Sequence, residues 1–107
     1  MTNERFSKIL DQAINTIQDT LGAKAKEYSF NSDRLSNFKD AARISGQTPL
    51  QTLNGFMLKH RVAFEDYIKC DAGNIEVPIH WWYEKIFDQI NYLILAWALV
   101  QEKEGEE

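Results

Sequence analysis

Two carboxylates and an amide on one helix face are the residues of this chain best suited to chemistry. Glu84, Asp88 and Asn91 lie at spacings of four and three residues within a stretch that is otherwise almost entirely apolar. At about 100° per residue they occupy a strip roughly 60° wide. Carboxylates rarely enter so apolar a helix unless they are paired or metal-bound, because an isolated buried charge is very costly. We therefore expect function at this strip.

A divalent cation is the ligand that this strip would hold. Glu84 and Asp88 lie one turn apart, and hard cations such as Mg²⁺ prefer carboxylate oxygens. Such an ion would neutralise both acids, bind a phosphate chain and prepare a water nucleophile, with Asn91 orienting a water or contacting the ligand. In the alternative, the acids are structural and either pair with lysines or point to solvent. Their candidate partners are then three lysines: Lys39, Lys59 and Lys85.

The preceding helix offers an acid and a base on one face. Asp66 would extend the strip to a metal and Lys59 would reach a phosphate, or both are surface residues beside the core. His60 falls among apolar neighbours, which favours a hydrogen-bonded core histidine over a catalytic base. Arg61 and Glu65 form an i, i+4 pair that we expect to be solvated.

Two basic clusters, residues 24–28 and 34–39, flank a turn. Their lysines, with an aromatic and an amide, would bind a phosphate or a base, or else form an ordinary basic surface. The run Trp81-Trp82-Tyr83 would stack a nucleobase or plug the end of a core. Glycine-rich phosphate loops, nucleophile elbows and His-Glu-x-x-His zinc helices are absent from the sequence.

Composition bounds the class of protein. The 107 residues predict a single domain over 1–107, and 44% hydrophobic with 26% charged residues is ordinary for a soluble globular protein. A net charge of −4 argues against direct nucleic-acid binding. The single Cys70 excludes an internal disulfide and fits the cytoplasm. The apolar run 90–100 is too short to span a membrane.

Periodicity predicts an all-α bundle of three long helices and one short helix. The first covers about residues 3–21 and continues to about Tyr28. The second covers 33–44, capped by Ser32 and closed by Gly46. The third begins at Thr48-Pro49 with a capping box and reaches about Lys69, and the fourth runs from Pro78 to about Gln101. We expect residues 102–107 to form a frayed acidic tail.

An ordered set of residues carries a family resemblance. It comprises Lys24-x-x-Glu27-Tyr28, Arg34-x-x-Asn37-Phe38-Lys39, Thr48-Pro49, Lys59-His60, Asp66 and Glu84-Lys85-Ile86-x-Asp88-x-Ile90-Asn91-Tyr92-Leu93. This order resembles small proteins of phages infecting Gram-positive bacteria, which are similar to the MazG-like, all-α nucleoside triphosphate pyrophosphohydrolases. The resemblance covers about residues 24–99.

The resemblance implies a Mg²⁺- or Mn²⁺-dependent enzyme that cleaves a (d)NTP to the monophosphate and pyrophosphate. Glu84 and Asp88 would hold the metal, with Asp66 and Glu27 completing the site. Three lysines would neutralise the phosphates, and two asparagines would orient base, sugar or water: Lys24, Lys39, Lys59, Asn37 and Asn91. A homodimer in the host cytoplasm is also implied.

The sequence departs from the enzymes' pattern in one respect. Lys85 stands where an acid is expected, and the preceding helix has no Glu-x-x-Glu pair. This departure motivates an alternative function, a non-catalytic module on the same fold. Such a module would sequester a nucleotide or a host defence signal, or bind and inhibit a host protein.

Overall fold

The computed structural model describes residues 1–22 and 33–105. Within them the chain is all-α, as the sequence predicts, with three long helices, one short helix and no strand. The structure divides into two units, Met1–Arg34 and Leu35–Glu107. None of the helices in the described part is long and apolar enough to cross a membrane.

Helix α1, Asn3–Leu21, belongs to the first unit. Thr2 caps it, its hydroxyl accepting a hydrogen bond from the backbone N–H of Arg5 at 3.0 Å. Helix α1 ends at Leu21, and the predicted continuation to Tyr28 lies outside the described residues. Gly22, which follows the helix, has φ −86° and ψ −144°, and a Cβ at this position would clash with the carbonyl oxygen of Gln18. Every apolar side chain of α1 remains at least partly exposed.

Helix α2, Ser36–Ser45, opens the second unit and starts three residues later than predicted. The carbonyl of Leu35 accepts hydrogen bonds from the N–H groups of Phe38 and Lys39, each at 3.2 Å. Leu35 is a core residue, 6% exposed, so tertiary burial fixes the turn that precedes the helix. Gly46 closes α2 as predicted, with φ +73° in the left-handed region that favours glycine.

Helix α3, Pro49–Ala72, begins where the capping signal predicts. The Thr48 hydroxyl accepts from the Gln51 N–H at 3.1 Å, and the Gln51 side-chain oxygen accepts from the Thr48 N–H at 2.9 Å. The helix extends three residues beyond the predicted Lys69. The Gly73 N–H then donates to backbone carbonyls of the last turn, and Asn74 adopts a left-handed φ of 59°.

Helix α4, Ile79–Gly105, follows a short connection and extends four residues beyond the predicted Gln101. The predicted frayed tail is therefore helical through Gly105. Glu102 makes a 2.7 Å ion pair with Lys39 of α2, which ties this end of α4 to the rest of the unit.

The core of the second unit lies where α2, α3 and the C-terminal half of α4 meet. Its buried residues are Leu35, Phe38, Leu53 and Leu99. Along the apolar face of α3, Leu53 is buried, Phe56 is 41% exposed, and four further residues are partly buried: Met57, His60, Phe64 and Tyr67.

Candidate functional site

The antiparallel pairing of α3 and α4 positions the candidate site. Near the connection, the ring of Phe64 packs edge-on against Trp82 with centroids 5.9 Å apart. At the far end, Leu53 and Leu99 share the core. His60 lies between these two levels, on the same side of α3 as Leu53 and Phe64, and therefore points at the middle of α4.

Three charged or titratable side chains meet at this level, and we call them the polar cluster: His60, Lys85 and Asp88. The Nδ1 atom of His60 lies 3.1 Å from Oδ2 of Asp88 and 3.3 Å from Nζ of Lys85. The His60 side chain is only 13% exposed, whereas that of Asp88 is 40% exposed. Asp88 therefore keeps a solvent-facing side while one of its oxygens binds the imidazole.

The proton position on His60 decides which partner it serves. With the proton on Nδ1, the ring donates to Asp88; with the proton on Nε2, Nδ1 accepts from Lys85. An ionised carboxylate at 3.1 Å repels a bare nitrogen lone pair, so Asp88 favours the Nδ1–H tautomer. In that tautomer Nε2 is the basic nitrogen. A carboxylate-oriented imidazole of this kind can accept a proton from a ligand or a water.

The helix interface shifts the pKa values of two neighbouring rings, those of His60 and Tyr92. Burial lowers the pKa of His60 below its usual 6.5; Asp88 opposes this shift, while Lys85 and Lys59 reinforce it. Tyr92 packs on the imidazole with centroids 5.5 Å apart, and burial, helped by the charge of Asp88, raises the pKa of its phenol. Both rings are thereby held in their neutral forms near pH 7.

The lowered pKa of His60 predicts a pH dependence of stability. The unfolded chain binds the proton more readily than the folded chain, so the free energy of unfolding should fall as pH drops below about 6.5. His60→Gln should lose this part of the pH dependence in urea denaturation series between pH 8 and pH 5. His80→Asn, which alters an exposed histidine, is the control and should keep it. Equal pH dependence in the His60→Gln variant and the unaltered protein would contradict the assignment.

Asn91 adds an acceptor beside the cluster. Its side-chain oxygen is buried and, among the described residues, has no hydrogen-bond partner. A buried unsatisfied amide costs about 1–3 kcal/mol. Asn91 follows Asp88 by three residues on the same side of α4.

The remaining predicted residues of the strip and of α3 lie on exposed surface. Glu84 is one turn before Asp88 and is exposed. Lys59 is exposed next to His60, close enough for its charge to lower the pKa of that ring. Asp66 is exposed nearer the α3–α4 connection, beside Tyr67, which packs on Trp81 and Trp82. Arg61 and Glu65 form the expected solvated pair, with 3.7 Å between Nε and Oε2.

Lys39 is not brought to the strip. It pairs with Glu102, which follows Asp88 by fourteen residues, or about 21 Å along the helix. Asn37 is exposed on α2. Lys24 and Glu27 lie outside the described residues. Of the predicted site residues, Asp88 and Asn91 therefore lie on the part of α4 that faces His60, whose neighbour in the chain is Lys59. Lys39 lies at the far end of α4.

The side chains that could coordinate the expected Mg²⁺ are few. Within residues 1–22 and 33–105, no group of three or more His, Cys, Asp or Glu side chains is arranged to hold a metal. These residues therefore do not form a metal site that consists of protein side chains alone. Glu84 and Asp88 do fit the other common mode, in which Mg²⁺ is bound through one or two carboxylates together with the phosphates of its nucleotide.

The pairing of His60 with Asp88 and the packing of Tyr92 on the imidazole were not predicted from the sequence. A signal was present, because a helix hairpin turning near residues 73–78 places residue 60 level with about residue 90.

Comparison of the chain with protein-family models, with curated proteins and with solved structures gave no match in any of the three. The MazG-like assignment rests on the residues quoted above and stays a prediction.

Proposed function

We propose that the protein binds a nucleoside triphosphate with its Mg²⁺ at the polar cluster and hydrolyses it to the monophosphate and pyrophosphate. The observation that carries this proposal is the position of Asn91. Its orphaned buried oxygen lies on the same side of α4 as a carboxylate that is oriented by His60 and flanked by lysines. A ligand that donates a hydrogen bond to this oxygen would relieve the cost of leaving it unpaired.

Each residue has a defined part in the proposed reaction. Glu84 and the solvent-facing side of Asp88 would contact the Mg²⁺ that accompanies the phosphates, and this ion supplies charge neutralisation at phosphorus. Lys59 and Lys85 would bind phosphate oxygens. Nε2 of His60 would accept the proton of the attacking water, while Asp88 holds the ring in the required tautomer. In a phage-infected cell this activity would alter the host's nucleotide pool.

A specific observation also supports the non-catalytic alternative. Lys85 lies 3.3 Å from Nδ1 of His60, so the cluster contains a cation where the enzymes that this chain resembles carry an acid. A site of this charge would bind a phosphate chain without requiring a metal. The protein would then sequester its nucleotide rather than cleave it.

One experiment separates the two functions. The purified protein is incubated with a panel of NTPs and dNTPs, with Mg²⁺, with Mn²⁺ or with EDTA, and the products are resolved by chromatography. Metal-dependent release of monophosphate and pyrophosphate supports the enzyme. Stoichiometric, metal-independent retention of intact nucleotide supports the sequestering module. A folded protein that neither binds nor cleaves any of them contradicts the nucleotide proposal in both forms.

A further inference from the structure

A cavity of about 360 Å³ lies in the second unit beside the C-terminal end of α4, and we call it the end cavity. Its apolar lining is formed by Pro49, Leu50 and Leu99. Leu99 belongs to the core and Leu50 packs against it, so the end cavity borders the core directly. Clefts that bind small organic ligands span about 300–1,000 Å³ and are lined mainly by apolar groups with a few polar ones. The end cavity is therefore large enough for a small ligand.

Three charged side chains also line the end cavity: Lys39, Glu102 and Lys103. Nζ of Lys39 lies 2.7 Å from Oε1 of Glu102, so these two charges largely balance each other. Lys103 is exposed, and among residues 1–22 and 33–105 it has no ion-pair partner. The lining thus combines an apolar surface with an excess of positive charge.

The remaining polar residue of the lining, Thr48, is already occupied. Its hydroxyl accepts from the Gln51 N–H at 3.1 Å, and its own N–H donates to the Gln51 side chain at 2.9 Å. The start of α3 is therefore capped within the protein. Attraction for an anion comes from Lys103 rather than from the end of this helix.

We propose that the end cavity binds a small monocarboxylate with a linear apolar chain, such as a medium-chain fatty acid. The chain would cover Leu50 and Leu99 and remove their apolar surface from water, which is favourable in proportion to the area covered. The carboxylate would lie beside the ammonium of Lys103, where opposite charges attract.

The end cavity does not suit a nucleotide. A polyphosphate would leave the apolar lining uncovered, and Glu102 would repel its several negative charges. Glu102 also follows Asp88 by about 21 Å along α4, so the end cavity is separate from the polar cluster. This inference is therefore independent of the proposed function.

Isothermal titration calorimetry with octanoate tests the proposal on the full chain. Octanoate should bind saturably with a Kd below about 1 mM. Octylammonium has the same chain length with the opposite charge, and octanol has no charge. Octanoate should bind more tightly than octanol, and octanol more tightly than octylammonium.

Two charge variants test the assignment of the carboxylate. Lys103→Gln should weaken octanoate binding by about 3-fold, which is the effect of one exposed charge pair, and Glu102→Gln should strengthen it by a similar factor. Neither change should alter the Kd of octanol. Lys69→Gln is the matched control, because Lys69 is an exposed lysine in the last turn of α3 and does not line the end cavity.

An apolar variant tests where the chain lies. Leu50→Ala should weaken octanoate and octanol alike by about 10-fold, because it removes apolar contact area. Leu58→Ala is the control, since Leu58 is an exposed leucine of α3 that does not line the end cavity. Circular dichroism checks that each variant keeps its helix content.

Three results would overturn the proposal. The first is the absence of saturable octanoate binding to the folded protein. The second is octylammonium binding as tight as that of octanoate, which would show that the site does not select a negative charge. The third is octanoate binding that Leu50→Ala and Lys103→Gln both leave unchanged, which would place the ligand on another apolar surface.

Discussion

The double variant Glu84→Gln/Asp88→Asn should lose metal-dependent nucleotide turnover by about 100-fold or more. Both substitutions keep side-chain size while removing the negative charge that would contact Mg²⁺, and electrostatic groups of this kind contribute about 10²–10³ in rate. Turnover is measured as pyrophosphate release at saturating Mg²⁺. Glu65→Gln serves as the control, because Glu65 is an exposed acid of α3 that pairs with Arg61.

Asp88→Asn also removes the partner of His60, so the single variant Glu84→Gln is needed beside it. Glu84 is exposed and its replacement should leave the fold unchanged. Undiminished turnover in a folded Glu84→Gln/Asp88→Asn protein would contradict the proposed role of both carboxylates.

Leu53→Ala should lower the free energy of unfolding by about 2–5 kcal/mol. Leu53 is 2% exposed and packs with Leu35, Phe38 and Leu99, so its truncation leaves a cavity where α2, α3 and α4 meet. Urea denaturation followed by circular dichroism measures the loss. Leu58→Ala on the same helix is the matched control: Leu58 is 48% exposed, and its truncation should cost less than about 1 kcal/mol. Equal losses in the two variants would show that the core is misplaced.

Features that depend on neighbouring residues could be predicted from the sequence. The start of α3 is correct because Thr48, Pro49 and Gln51 satisfy the first backbone groups of the helix by themselves. Gly46 ends α2 because its left-handed conformation is disfavoured in other residues.

Features that depend on tertiary contacts were predicted less well. The turn before α2 is set by burial of Leu35, which no local pattern reveals. The end of α4 is extended by the ion pair of Glu102 with Lys39, two residues that are 63 positions apart in the sequence.

In the candidate site, too, local features could be predicted from the sequence and tertiary contacts could not. The strip of Glu84, Asp88 and Asn91 follows from helical spacing alone, and the structure places all three on α4. The partner of Asp88 depends on the register of α3 against α4. His60, rather than a lysine, therefore lies next to the carboxylate of Asp88. Lys39 instead pairs with Glu102, about 21 Å from Asp88 along α4.

Nuclear magnetic resonance can locate a bound nucleotide on the protein and so test whether the polar cluster is its binding site. Backbone and histidine side-chain resonances of ¹⁵N-labelled protein are recorded during titration with a non-hydrolysable nucleoside triphosphate, with and without Mg²⁺. Shifts are expected to concentrate at residues 59–60 and 84–92, including the His60 ring and the Asn91 side-chain amide. Shifts absent from these residues, or confined to the surface around Lys39 and Glu102, would contradict binding at the polar cluster.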